Sequence, residues 1–135
     1  MSYIDHLGVA VKSLAEARKF YEQLGLEVLA EETVEAEKVR LAMVPVGESR
    51  IGLLEPTSED SAIARFLAKR GEGLHHVALH VNDLAGTVER LKAAGTRLIS
   101  DDIKIGAGGH LYVFVHPSSA GGVLLELVED APQGV

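Results

Sequence analysis

Three residues are of the right types, in the right surroundings, to do metal chemistry: His6, His76 and Glu126. Around His6, the residues Leu7, Val9 and Val11 alternate with His6, Gly8 and Ala10, the period-two pattern of a strand with one apolar face. Around His76 the same alternation sets Val77, Leu79 and Val81 against His76, Ala78 and His80. A histidine flanked on its own face by small residues has open space above it. Glu126 lies inside the apolar run Val123-Leu124-Leu125-Glu126-Leu127-Val128. A carboxylate there is costly unless it is paired, opens into a cleft or binds a metal. Two imidazoles and one carboxylate with free coordination positions suit Fe(II), Co(II), Mn(II), Ni(II) or Zn(II). Taken singly, each residue also has a plainer reading: a hydrogen-bonded strand histidine, or a glutamate facing solvent.

An internal repeat favours the metal. Ile4 to Leu29 lies over Leu74 to Ile99 with no gap, so that His6 falls on His76, Leu14 on Leu84 and Gly25 on Gly95. Farther on, after a small shift, Ile51-Gly52-Leu53-Leu54-Glu55 falls on Leu125-Glu126-Leu127-Val128-Glu129. Each half is too short to bury a good core alone, so the halves are duplicated modules of one domain. Equivalent positions of such modules meet about a pseudo-two-fold axis, which would aim the two histidines at a common centre.

The elements that must position these residues follow the same repeat. Each half reads as strand, helix, then three strands. In the first, a strand over 4–11 leads to Ser13, with Glu16 three residues on, a capping-box signature. Leu14, Ala17, Tyr21 and Leu24 keep helical spacing and Gly25 ends it. Strands are expected near 26–33, 38–46 and 49–55. In the second half a strand over 74–81, a helix capped by Asp83 and ended by Gly95, and strands near 97–101, 110–116 and 122–129 are expected. Module 1 then covers about 3–56, a linking helix with Ile63, Phe66 and Leu67 lies within about 57–72, and module 2 covers about 73–130, in a single domain over 1–135. The tail, with Pro132 and Gly134, is expected to be loose. His75 is expected on the helix side and His80 at the cleft edge, neither with a metal role.

Composition narrows the function. Net charge is −7, and there are no tryptophans and few aromatics, which argues against nucleic acid as a partner. There are no cysteines, so disulfides and thiolate metal sites are out. No apolar run is long enough for a membrane span, and the start of the chain lacks signal-peptide features, so a cytoplasmic location is expected.

Several runs carry a resemblance: Ile4-Asp5-His6-Leu7, Leu53-Leu54-Glu55-Pro56, Gly71-Glu72-Gly73-Leu74-His75-His76-Val77-Ala78, Gly106-Ala107-Gly108-Gly109, Val115-His116-Pro117 and Gly121-Gly122-Val123-Leu124-Leu125-Glu126-Leu127. Over nearly its whole length the chain resembles the methylmalonyl-CoA epimerase family of the vicinal oxygen chelate (glyoxalase, bleomycin resistance, dioxygenase) superfamily. The resemblance implies an α+β fold of two paired βαβββ modules, forming a curved, mostly antiparallel eight-stranded sheet around a metal site. It implies His6, His76 and Glu126 as metal ligands and Co2+ as the favoured ion, with Zn2+, Mn2+, Ni2+ or Fe2+ as alternatives. It implies an epimerase acting on an acyl-CoA substrate, Glu126 as one acid/base, and a homodimer.

Departures from the family pattern are informative. A fourth ligand, Glu or Gln, is usual where this chain has Gly52, and the repeat independently pairs Gly52 with Glu126. Glu55 cannot replace it, because strand alternation turns it to the opposite face. Arg40 stands where some members carry a second base, and Glu35, Glu37 and Glu48 nearby read as solvated charges. Ser118 replaces a frequent Lys after His116-Pro117. Gly106 to Gly109, with Lys104, could meet CoA phosphates or simply form a turn. Alternative functions within the superfamily are a glyoxalase-type lyase, an Fe(II) extradiol dioxygenase, or a non-catalytic small-molecule binding protein.

Overall fold

The computed structural model describes residues 2–131, so the expected loose tail around Pro132 and Gly134 lies outside the described residues. Both halves fold as strand, helix and three strands. The first half comprises β1 (Tyr3–Ala10), α1 (Leu14–Gln23), β2 (Glu32–Val34), β3 (Val39–Val46) and β4 (Ser49–Pro56). The linking helix α2 (Ala62–Arg70) follows. The second half comprises β5 (Gly73–His80), α3 (Leu84–Ala93), β6 (Lys104–Ile105), β7 (Leu111–Val115) and β8 (Leu125–Glu129). The strands form one mixed sheet of eight, in the order β2-β3-β4-β1-β5-β8-β7-β6. Among the described residues no helix is long and apolar enough to cross a membrane.

By packing, the chain divides into two compact units. One is His6–His75; the other joins the chain start, through Asp5, to His76 and the rest.

In the first unit, β4 runs parallel to β1 and antiparallel to β3. The helix cap is as the sequence predicts: the Ser13 side chain accepts from the Glu16 N–H at 3.2 Å. Leu14 and Leu53 are fully buried with Val11, Val28, Ala42 and Val44, and Val9 and Tyr21 pack against them. This is the apolar face of β1 meeting α1. Burial of each such leucine contributes about 1.5–3 kcal/mol. The opposite face of β1 carries His6, Gly8 and Ala10, all buried.

The second unit repeats the plan. β8 runs parallel to β5 and antiparallel to β7. The Asp83 side chain caps α3 through the Gly86 N–H at 3.0 Å, and Leu84, Val88, Val113, Val115 and Leu127 form the core.

A second helix-start device, one per unit, comes from the end of the last strand. The Leu14 N–H donates to the Glu55 carboxylate at 3.1 Å, and the Leu84 N–H donates to the Glu129 carboxylate at 2.8 Å. A carboxylate at a helix N-terminus satisfies an orphan donor and opposes the positive end of the dipole. Glu55 and Glu129 are equivalents in the repeat, and this shared task accounts for both.

Two expected strands are much shorter than their sequence patterns. Residues 26–31 run as an extended connection held by Leu29 N–H to Met43 C=O, and pairing begins only at Glu32. Residues 97–101 make one isolated bridge, Leu98 to Val115, and the edge strand β6 forms later. In both places the chain spends its apolar residues, Val28 and Leu98, on the core beneath the helix rather than on a full ladder.

Candidate metal centre

Strand register turns the sequence repeat into geometry. In the first unit Gly8 of β1 pairs with Gly52 of β4, and Met43 of β3 pairs with Gly52 from the other side. In the second unit Ala78 of β5 pairs with Glu126 of β8, and Phe114 of β7 pairs with Glu126. Gly52 is thus the structural counterpart of Glu126, and Met43 the counterpart of Phe114.

The face on which Gly52 lies is the face of His6. A side-chain carbon placed on Gly52 would stand 3.6 Å from His6 Cδ2 and 3.3 Å from Met43 Sδ. The position offers no ligand atom, and a flexible thioether lies against it. Glu55 is turned away, as alternation requires, to the start of α1.

In the second unit His76 Nε2 lies 3.1 Å from Glu126 Oε1, with both side chains buried. Phe114 stands edge-on to the His76 ring at 5.4 Å between centroids, and Tyr112 edge-on to Phe114 at 5.9 Å. These rings wall the carboxylate on the β7 side. His110, which sequence reasoning passed over, places its Nε2 4.0 Å from Glu126 Oε2.

His6, His76 and Glu126 are all buried, and each offers a ligand atom within 4.8 Å of those of the other two. The donor set fits a divalent ion: two imidazole nitrogens and one carboxylate oxygen, on strands whose hydrogen bonds fix the backbone. A cation held here would offset the cost of burying the Glu126 carboxylate.

The other residues singled out in the sequence, His75 and His80 among them without a metal role, stand in other surroundings. His75 packs edge-on against Phe66 of α2, at 5.0 Å. His80 is buried and stacked on Tyr3 at 4.7 Å, its ring nitrogens making no hydrogen bond; Asp130 Oδ1 lies 3.4 Å from Nε2, out of hydrogen-bond alignment. Arg40 is exposed and faces Glu55 at 3.8 Å, which gives it a surface ion pair rather than the place of a base. Glu35 and Glu48 are exposed and Glu37 is half-buried in the short turn before β3. Ser118 folds back onto His116, whose Nδ1 lies 2.8 Å from the serine hydroxyl. In the glycine turn, the N–H groups of Gly106, Gly109 and His110 are spent on the turn's own carbonyls, which leaves fewer of them for a phosphate than the sequence implies.

Known proteins resemble this chain along most of its length. A family model described as the Glyoxalase/Bleomycin resistance protein/Dioxygenase superfamily matches residues 5–114. The uncharacterized protein YqjC of Bacillus subtilis is 42% identical over 99% of this chain and 95% of its own. The mitochondrial methylmalonyl-CoA epimerase of Bos taurus is 40% identical over 92% of this chain and 72% of its own. Among solved structures, a variant of Streptomyces coelicolor methylmalonyl-CoA epimerase in complex with 2-nitronate-propionyl-CoA superimposes with a TM-score of 0.90 at 40% identity, covering 95% of this chain and 94% of that one. The chain belongs to the glyoxalase/bleomycin resistance protein/dioxygenase superfamily and, within it, to the methylmalonyl-CoA epimerases.

Proposed function

We propose that this protein interconverts the two epimers of methylmalonyl-CoA by removing and returning the proton on the carbon between thioester and carboxylate. The observation that carries the reading is the buried His6, His76 and Glu126 group, in a chain similar over nearly its whole length to an epimerase bound to an acyl-CoA analogue.

In this reading His6, His76 and Glu126 hold a divalent metal, with Co2+ as the ion. When bound, the ion supplies Lewis-acid stabilisation of the negative charge that develops on the substrate oxygens. The protein's own groups do the rest. Glu126 takes the proton: the C–H bond breaks, its electron pair passes into the enolate, and the proton rests on a carboxylate oxygen. Inversion is completed when a solvent-derived proton is delivered to the opposite face of the enolate, and Glu126 returns to the carboxylate form by releasing its proton to solvent. The rings of Phe114, edge-on to His76, and Tyr112, edge-on to Phe114, keep water from the carboxylate on the β7 side.

Other parts of the reading rest on the family. The chain works as a single two-module domain and as a homodimer, with an acyl-CoA as its partner besides its own copy; the cytoplasmic location rests instead on the sequence, as expected above. Gel filtration against standards tests the dimer.

The test of function is conversion of one pure methylmalonyl-CoA epimer into the mixture of both by the metal-loaded protein, followed by chiral analysis. Epimerisation at enzyme-dependent rates supports the reading. An unchanged epimer, with catechol or hemithioacetal turnover instead, contradicts it.

A further inference from the structure

The reacting carbon of an alkylmalonyl-CoA carries a thioester, a carboxylate, a proton and an alkyl branch. The first two are polar, and the proton leaves for Glu126. The branch is the one group that needs an apolar place close to the reacting carbon.

The first unit has such a place beside His6. Gly8, Gly52 and Met43 stand in one row across β1, β4 and β3. Gly8 and Gly52 put no side chain on the face of His6. Gly52 lies inside a regular strand and has no positive φ, so the backbone does not require glycine there. A carbon built on Gly52 would stand 3.6 Å from His6 Cδ2, 3.3 Å from Met43 Sδ and 3.5 Å from Met43 Cε. The tip of the thioether thus lies against bare backbone whose other close neighbour is the His6 ring. The next row on the same face is Ala10, Leu54 and Leu41, all buried. The floor leading away from His6 is apolar.

The second unit has a stiffer wall at the equivalent place. Its row is Ala78, Glu126 and Phe114, and the Phe114 ring is packed edge-on to His76 and to Tyr112, at 5.4 Å and 5.9 Å. Inversion swings the branch through the plane of the enolate, so the wall beside it must give way. A ring held on two sides yields little. An unbranched thioether with three rotatable bonds yields readily, and Met43 is only half-buried.

We propose that Met43 is the specificity-determining residue for the alkyl branch. Resting on the epimerase reading above, the branch lies over Gly52 against the Met43 thioether, and the position of that tip sets how long a branch is accepted. One methylene more or less in an apolar pocket changes kcat/KM by about 10–200-fold, so the length preference should follow the volume of residue 43.

The experiment compares Met43→Ala, Met43→Phe and Gly52→Ala with the parent, all Co(II)-loaded, and reads ratios between homologues. The first ratio is kcat/KM for ethylmalonyl-CoA over methylmalonyl-CoA. The second needs no turnover: the affinity for butyryl-CoA over that for propionyl-CoA, by calorimetric titration. Met43→Ala should raise both ratios by about tenfold and Met43→Phe should lower both by about tenfold. Gly52→Ala fills the floor and presses on the thioether, so it should lower both as well. Ratios within about twofold of the parent in both Met43 variants overturn the proposal. Affinity ratios that shift as expected in a series whose parent epimerises neither homologue keep the role of Met43 and overturn the epimerase reading instead. A parent that neither binds nor converts any of the four acyl-CoAs overturns both.

Discussion

His76 Nε2 and Glu126 Oε1 lie 3.1 Å apart on strands β5 and β8, both side chains buried. The pair is brought together by the parallel register of Ala78 with Glu126, and the first unit repeats that register with Gly8 and Gly52. One unit therefore keeps a carboxylate where its twin has none. The asymmetry defines what the site can do, and it yields specific expectations.

Replacing Glu126 by Gln keeps size and shape but removes the proton acceptor. Turnover should fall by about a hundredfold to ten-thousandfold, the usual contribution of a general base. Metal analysis of the same sample checks that the ion is retained. Full turnover with metal bound would remove Glu126 from the chemistry.

Gly52→Gln places a donor beside His6. The atom in the way is the Sδ of Met43, 3.3 Å from the new Cβ, at the end of a flexible side chain. The change should therefore cost no more than about 1–3 kcal/mol of stability, while Co(II) affinity rises by about tenfold as measured by calorimetric titration. Unaltered affinity would mean that the side chain does not reach the ion.

Glu129→Ala and Glu55→Ala each free a helix N-terminal N–H that is otherwise paired at 2.8 Å and 3.1 Å. Each should lower stability by about 1–2 kcal/mol in urea unfolding. Glu129, with the shorter bond, should show the larger loss.

The Lys38 ammonium paired with Asp60, together with the Ser58 hydroxyl, lowers the Asp60 carboxyl to about 2 from an ordinary 3.8. A depressed pKa contributes stability that is fully present above the unfolded value and lost as pH falls through the folded one. The parent should therefore be slightly more stable than Asp60→Asn at neutral pH, and the difference should vanish between 3.8 and about 2. Asp60 is fully exposed, so the effect is small. Thermal midpoints across that range check it.

Much of the site was legible in the sequence because the repeat is. Aligning Gly52 with Glu126 across the halves anticipates the strand register, and the alternation around His6 and His76 anticipates which face each takes. The short strands were not legible: Val28 and Leu98 sit in strand-like patterns, but their side chains fill the core under a helix while the backbone finds only a bond or two to a neighbouring strand. Periodicity reports side-chain burial and is silent on whether a ladder partner exists. His110 was missed for a different reason. Its counterpart in the first half is not a histidine, so the repeat does not flag it. The available signal was its alternation with Tyr112 and Phe114, which puts all three on the face of Glu126.

The central claim is proton abstraction at the carbon between thioester and carboxylate. Incubating the Co(II)-loaded protein with methylmalonyl-CoA in D2O and following the α-proton by NMR tests it directly. The account predicts rapid loss of the α-proton signal, abolished by a chelator and restored by added metal. An α-proton that persists in the presence of the loaded protein would contradict it.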